Sequence, residues 1–326
     1  MEPLVSVIMP VYNTPEPILR EAIESILNQT LKNFEFIIID DCSKKSIQPI
    51  VDSYCDNRVI FLRNKENLGV TGAPNVGLDN SRGVYIARMD SDDIAHPDRL
   101  KMQVDFLENN QDIDILGTAF EKFPKKKIVR LPLDDKAIKL AMIFNYNAIC
   151  HPSVMIRKST IDKLKIRYEK RHEVCEDYGV WLKYINDVKF ANLNDVLLKY
   201  RWNGNNISKR KTKLQSSNTQ MLMFKAQGEY FGVDYKPAIE VVAKCRDDKI
   251  VISSDLIVMN DFIKEIKNKL KSAMPECQYS VNRNFYKTFL KKCVSDISFI
   301  QILFSKELND IIKLSLFEKL GMIIGI

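Results

Sequence analysis

Two strand-like runs that each end in acid limit the fold of this chain more than any other feature. Phe34–Ile39 is apolar but for Glu35, as a strand covered on both faces requires, and Asp40-Asp41 follow at once. Val84–Met89 reads as a strand and ends at Asp90-Ser91-Asp92-Asp93. Leu4–Met9, Val59–Leu62 and Ile113–Gly117 read as further strands. Pro15–Gln29 carries Ile18, Leu19, Ala22, Ile23, Ile26 and Leu27 at helical spacing. Gly72–Asn80 also reads as a helix, and so does Pro97–Asn109, with Pro in its first turn. This β-α-β-α order predicts an α/β fold, a mostly parallel central sheet flanked by helices. Ligands of such sheets bind beyond the carboxyl ends of the strands, where both acidic clusters fall.

The pattern is less regular from about 120 to 205. Lys125-Lys126-Lys127 reads as a basic loop, Asp134–Phe144 as a helix, and Ser153–Ile156 as extended. Asp177–Ile185 reads as a helix and Val196–Tyr200 as a last strand. Gly204-Asn205-Asn206 and the basic run Lys209–Lys213 mark a boundary. Apolar residues then recur at helical spacing through Met221–Phe224, Leu256–Ile266 and Leu308–Ile324. The expected organisation is a catalytic domain over 1–208 and a mainly helical, basic C-terminal extension over 209–326.

Charge follows the same division. Residues 1–200 hold 28 Lys+Arg and 29 Asp+Glu, whereas 201–326 hold 21 and 13, so the whole excess of +7 lies in the last part. Such asymmetry points to nucleic acid or an anionic membrane as partner. No nucleic-acid motif is present and the aromatic residues form no stacking platform, so no nucleic-acid partner is expected. No apolar stretch approaches the roughly 20 residues of a bilayer span, and no signal peptide is visible. Seven scattered Cys without a CxxC suit reduced thiols. The expectation is a cytoplasmic protein, peripheral on the inner face of the cell membrane.

Three carboxylates within Asp90–Asp93 repel one another unless a cation lies between them, and hard oxygen ligands suit Mn²⁺ or Mg²⁺. A turn is the plainer reading of Asp40-Asp41, and Asp93 is also placed to start a helix. Glu176-Asp177, a third acidic pair, suits a helix N-terminus in isolation. A base role requires the fold to bring that pair opposite the metal.

At this point the residues carry a resemblance. Val5–Asn13 resembles the first strand of family-2 glycosyltransferases with a GT-A fold. Ser25–Thr30 is similar to the family's "SILNQT", and Ile38–Ser43 to "IVDDGS". Asn67-Leu68-Gly69 with Asn75-Val76-Gly77 resembles "NxGxxxARNxG". Asp90–Asp93 followed by Pro97–Leu100 resembles "DADD…PxRL". His151–Val154 and Glu176–Trp181 resemble "HPS" and "EDYxLW". Tyr200-Arg201 with Asn205–Ser208 resembles "YRxHxxNIS". Each piece is short; their shared order over about 4–208 gives the resemblance its force.

The resemblance implies a metal-dependent, inverting hexosyltransferase using a UDP-sugar donor. It implies that Asp92 binds the metal directly and that Asp90 joins the metal or nucleotide site. Asp40 would accept the uracil N–H and Tyr12 would stack on the base. Pro10, Val11, Asp41, Gly69, Asn75 and Ser91 complete the nucleotide-sugar set. Asp177 is the expected base, with Glu176 second, and an α-linked donor would give a β linkage. His151 reads first as structural, and as an acceptor or phosphate contact second. Trp181 reads as helix packing, or else as a platform for the acceptor ring.

Two departures stand out. Pro74 occupies the place of the Arg in "ARN", so a basic contact is lost or comes from Arg82 or Arg88. Arg201-Trp202 superficially resembles the QxxRW of processive synthases, but Leu198 stands where Gln would be. Transfer of a single sugar follows. The expected acceptor is a lipid-linked saccharide such as GlcNAc-diphospho-lipid, in O-antigen or surface-polysaccharide synthesis. A nucleotidyltransferase is one rival, but it needs a Gly-rich basic loop where this chain has Val11–Pro15. A non-catalytic nucleotide- or sugar-binding module is the other, and binding indifferent to Mn²⁺ would mark it.

Overall fold

The computed structural model describes residues 2–144, 146–172, 175–202, 212–247 and 253–273. The boundary motif Gly204–Asn206, the motif residues Asn205–Ser208, Lys209–Lys211 and the helical patterns beyond 273 lie outside the described residues. The chain divides into two compact units, Met1–Lys139 with Asn147–Ile207, and Leu140–Tyr146 with Ser208–Ile326.

Nine strands of the first unit form one sheet: β1 (Val5–Val11), β2 (Phe34–Asp40), β3 (Val59–Arg63), β4 (Tyr85–Arg88), β5 (Ile94–Ala95), β6 (Ile115–Phe123), β7 (Lys127–Val129), β8 (Met155–Arg157) and β9 (Phe190–Arg201). Their order is β3-β2-β1-β4-β8-β6-β9-β5, with β7 paired to β6. The first four are mutually parallel. β8 runs antiparallel to both β4 and β6, and β9 is parallel to β6. The ends of β6 and β9 therefore share an edge with the ends of β1–β4. The α/β expectation holds, with antiparallel pairs in the second half of the sheet.

The local chemistry explains the layers. Every residue of β2 is buried, as the run Phe34–Ile39 requires. Its one internal charge, Glu35, accepts from Ser6 Oγ at 2.6 Å and pairs with Arg82. Helix α1 (Glu16–Leu27) turns Leu19, Ala22, Ile23 and Ile26 into the core. Gln29, just past α1, is fully buried: its Nε2 donates to Ser25 O and His96 O, and its Oε1 accepts from Leu100 N at 2.9 Å. That amide ties the end of α1 to the start of the helix Arg99–Asn109. Pro97 precedes this helix instead of opening it, and Asp98 stands at its cap.

Two strands exceed their expected length. β6 continues to Phe123 and β9 begins at Phe190, because each ladders on the other along its whole length. Polar residues such as Glu121, Lys122 and Lys199 are carried in by backbone pairing, which hydropathy does not register. The expected loop at 125–127 is the turn between β6 and β7.

Helix α3 (Gly69–Asp79) lies tight on the sheet. A Cβ at Gly77 would stand 2.3 Å from Ile8 Cγ2 and 3.2 Å from Ile39 Cδ1. Gly77→Ala is expected to destabilise by about 1–3 kcal/mol, read as a lower midpoint in thermal melting. An unchanged melt would show that α3 has room to lift.

The second unit contains the helices Thr212–Phe231, Lys236–Arg246 and Ser253–Ala273. The last buries Met259, Phe262, Ile263, Ile266 and Leu270, and exposes Lys264, Lys269 and Lys271. Phe262 meets Phe224 edge-on with ring centroids 4.9 Å apart. The apolar stripe of this helix is thus packed inside the unit. Among the described residues, no helix is long and apolar enough to cross a membrane.

Candidate active site

Three loops at the carboxyl edge of β1, β2 and β4 are bonded to one another. Tyr12 leaves β1 with its ring 52% exposed. Asn13 follows at φ +52°, a left-handed conformation that Asn tolerates. Its N–H donates to Ser43 Oγ at 3.0 Å and its Oδ1 accepts from Lys44 N at 2.9 Å. Thr14 Oγ1 lies 2.7 Å from Ser91 Oγ, joining the loop after β1 to the loop after β4. Pro10 sits beyond the last β1–β4 pair, where its missing N–H leaves no gap in that ladder. Val11 is buried, and its carbonyl accepts from Asp41 N at 2.8 Å.

Asp40 and Asp41 are both turned inward. Asp40 has no exposed surface; it accepts from Ser43 N at 2.9 Å and is ion-paired with Arg63. The direct contact with a base expected of Asp40 is therefore not open in this structure. Asp41 accepts from Asn64 Nδ2, Leu68 N and Gly69 N at 2.7–2.9 Å. It fixes the turn into α3, where Gly69 takes φ +72° that a side chain would strain. Both carboxylates fix loops of the chain itself, whereas Tyr12 and Leu68 are left exposed.

Asp90, Asp92 and Asp93 converge after β4, with one carboxylate oxygen from each lying within 4.8 Å of the others. Asp90 pairs with Arg88 at 2.8 Å. Asp93 Oδ1 accepts from Arg201 N at 2.7 Å, and Arg201 Nε donates to Asp92 O. Asp93 thus precedes β5 and is held by β9; it starts no helix. Burial, then repulsion from Asp90, raises the Asp92 carboxyl to about 6. The same two causes, with Asp92 added, raise Asp93 well above its usual range. Asp93 Oδ2 is buried without a hydrogen-bond partner among the described residues. Crowded carboxylates and an orphaned oxygen fit a hard divalent cation, which would satisfy both.

A partly buried cation, Arg88, and a fully buried one, Arg99, frame this cluster. Arg88 lies at the site, whereas Arg82 is spent on Glu35 at the far end of the sheet, beside Ser6. Of the two replacements considered for the missing basic residue at position 74, only Arg88 is placed for it. Arg99 has no exposed surface and donates to Arg88 O at 2.7 Å and to Gln103 Oε1 at 3.1 Å. Burial lowers it to about 10, so it remains charged at neutral pH behind the acids.

Glu176 and Asp177 open the helix α7 (Glu176–Lys183). Asp177 Oδ2 accepts from Asn147 Nδ2 and Oδ1 from Tyr178 N, each at 2.7 Å. Burial raises Asp177 to about 6, and the charge of Asp90 adds to it. Burial and Asp177 raise Glu176 to about 8, again with a contribution from Asp90. The third acidic pair therefore feels the acidic cluster after β4, although Glu176 lies 86 positions beyond Asp90 in sequence.

Three expected contacts have other duties. Asn75 spends its amide on the backbone of Tyr168, donating to its carbonyl at 2.9 Å and accepting from its N–H at 3.0 Å. Tyr168 OH lies 2.8 Å from His151 Nε2, and burial keeps His151 well below its usual value, hence neutral. Trp181 is 0% exposed and meets His151 and Phe190 edge-on, so it offers no platform for an acceptor ring. His151 opens a short 3-10 turn, not a strand. Asn75→Ala is expected to loosen this stack and to lower transfer about tenfold with little change in donor affinity, since it frees two buried backbone groups. Equal losses in both would show that Asn75 touches the donor.

Arg99, Asn147 and Tyr168 had no place in the expected site. Arg99 carried a signal, being the Arg of "PxRL"; Asn147 and Tyr168 stand in stretches with no pattern to mark them.

The sequence model described as "Glycosyl transferase family 2" matches residues 6–164. An uncharacterized glycosyltransferase of Methanocaldococcus jannaschii is 40% identical over 214 residues, spanning 61% of this chain and 71% of that protein. The amylovoran biosynthesis glycosyltransferase AmsE of Erwinia amylovora is 30% identical over 215 residues, 63% and 79% of the two chains. Among solved structures, S. aureus TarS 1–349 in complex with UDP-GlcNAc aligns with TM-score 0.59 at 17% identity, covering 93% of this chain and 81% of TarS. The mannosyltransferase PcManGT of Pyrobaculum calidifontis, with GDP-Man and Mn²⁺, aligns with TM-score 0.52 at 15% identity, over 85% and 77%. At such identities the structural likeness concerns the fold.

Proposed function

This chain belongs to glycosyltransferase family 2, and we propose that it moves one hexose from a UDP-sugar to a lipid-linked saccharide in surface-polysaccharide synthesis. The catalytic domain is assigned to 1–208, followed over 209–326 by an appendage whose described parts are helices. The observation that carries the reading is electrostatic: two acidic sets from distant parts of the chain act on one another across the carboxyl edge of the sheet. One set suits a cation and a diphosphate, and the other suits a proton.

Asp90 and Asp92 would hold a divalent ion, Mn²⁺ or Mg²⁺, with Asp93 behind them. When bound there, such an ion would supply Lewis acidity for the departure of the nucleoside diphosphate. Tyr12 offers its exposed face to the base, and Arg88 supplies the basic contact that Pro74 lacks. Asp177 takes the proton from the acceptor hydroxyl as its oxygen bonds to the anomeric carbon. The bond from that carbon to the diphosphate breaks, and its electron pair leaves with UDP. One displacement inverts the centre, so an α-linked donor gives a β product. Asn147 holds Asp177 in place by its 2.7 Å hydrogen bond.

AmsE, by its name, belongs to amylovoran biosynthesis, and TarS was solved with UDP-GlcNAc; both favour a sugar nucleotide and a polysaccharide product. PcManGT, solved with GDP-Man and Mn²⁺, favours the metal and makes guanosine donors the competing case. The test is a panel of UDP- and GDP-sugars with Mn²⁺ against synthetic GlcNAc-diphospho-lipid, read by mass. A gain of one hexose from a UDP donor is expected. Transfer from GDP-sugars alone, or only to free saccharides, would overturn the donor or the acceptor assignment respectively.

A further inference from the structure

We propose that the β6–β7 hairpin is the surface by which the catalytic unit rests on an anionic membrane; this rests on the lipid-linked acceptor just proposed. Residues 124–128 and 130 are exposed, and the hairpin carries Lys122, Lys125, Lys126, Lys127 and Arg130. Among the described residues, none of these five cations has an ion-pair partner. Ile128 stands among them 46% exposed, an apolar side chain within a ring of positive charge. That combination suits the headgroup layer of an anionic bilayer, which attracts each cation and accepts a shallow apolar side chain.

Position makes the hairpin more than a basic turn. β6 runs in the same direction as β1–β4, so its end leaves the sheet on the edge that carries the acidic cluster. The stem is bonded to the site. Trp202 N donates to Phe123 O at 2.7 Å, and the Arg201 guanidinium lies 5.0 Å from the centre of the Phe123 ring. That same Arg201 holds Asp92 and Asp93. A membrane met by the hairpin would therefore lie beside the mouth where a lipid-linked acceptor must present its hydroxyl. The described helix Ser253–Ala273 offers exposed Lys but turns its apolar stripe inward.

The test is co-sedimentation of the full chain with phosphatidylglycerol-containing vesicles and with pure phosphatidylcholine vesicles at low salt. The neutralised hairpin (Lys125→Gln, Lys126→Gln, Lys127→Gln) and Ile128→Ser are compared with Lys264→Gln, Lys269→Gln, Lys271→Gln in the C-terminal unit. The hairpin triple variant is expected to lose at least about tenfold of its partitioning to anionic vesicles, at roughly 1 kcal/mol per cation. Ile128→Ser is expected to lose less, and the C-terminal variant little. Transfer to a water-soluble acceptor should stay unchanged, which also reports that the hairpin variants fold. Unchanged partitioning of the hairpin variants would overturn the proposal and leave these lysines as guards of the open edge of β7. If that happens while transfer to the lipid-linked acceptor persists, the hairpin assignment fails and the acceptor assignment stands. If no lipid-linked acceptor is ever used, the acceptor assignment has failed first.

Discussion

Asp92→Ala is expected to lower donor-dependent transfer by about 10³ or more, as removal of a metal's Lewis acidity costs several kcal/mol and each 1.36 kcal/mol is tenfold. EDTA should reproduce the loss in the unaltered protein, and added Mn²⁺ should restore it. Stability offers an independent readout. The Asp92 carboxyl is raised in the folded protein by burial and by Asp90. The unfolded chain therefore binds its proton less tightly, and metal-free stability falls as pH rises from about 4 toward about 6. Asp92→Asn removes that fall, so the variant without metal should melt no lower than the parent at neutral pH. Mn²⁺ at a hundredfold excess over its Kd should stabilise the parent by about 2.7 kcal/mol, and the variant far less. A variant that keeps both transfer and the Mn²⁺-dependent shift in Tm would refute Asp92 as a ligand.

Asp177→Asn is expected to lower transfer by about 10²–10⁴, the range for loss of a positioned base, with donor affinity retained. The substitution keeps the shape and one of the two hydrogen bonds, from Asn147 Nδ2 or from Tyr178 N, while removing the proton acceptor. Asp177 is raised to about 6, first by burial. A base acts when ionised, so transfer should rise with pH through about 6 and disappear on the acid side. Glu176, raised to about 8 by burial and then by Asp177, stays protonated through that window. Glu176→Gln should therefore keep most of the activity and the same acid limb. A pH profile flat from 5 to 8 in the parent would remove Asp177 from the role.

The legible part of this protein was local. The buried strand β2 and the acidic run after β4 each follow from neighbours in sequence, because hydropathy runs and like-charge repulsion act over a few residues. Family membership was legible for the same reason, since its motifs are short loops at strand ends. The nearly neutral charge of the first 200 residues was legible too.

Roles that depend on side-chain direction were not legible. The resemblance placed Asp40 against a nucleotide base, yet Ser43 N and Arg63 absorb it. Arg82 and Arg88 looked alike as replacements for a lost Arg; they stand at opposite ends of one sheet, and Glu35 claims the first. Asn75 proved to clamp Tyr168, across 93 residues. Trp181, an aromatic beside the acid pair, is sealed between His151 and Phe190.

The sequence by itself determined the parallel strands β1–β4 with the main helices between them, that acid would gather beyond β2 and β4, and to which family the chain belongs. Only the tertiary structure decided which of those acids are free to act. Hydrogen bonds and charge fall off within a few ångströms, so a carboxylate's role is set by whatever folding brings to that distance. For Asp40 and Asp41 it brings backbone N–H groups and side-chain donors of the chain itself. For Asp92 and Asp177 it brings burial and the field of Asp90, which raise both carboxyls and suit the roles proposed for them, one toward a cation and the other toward a proton.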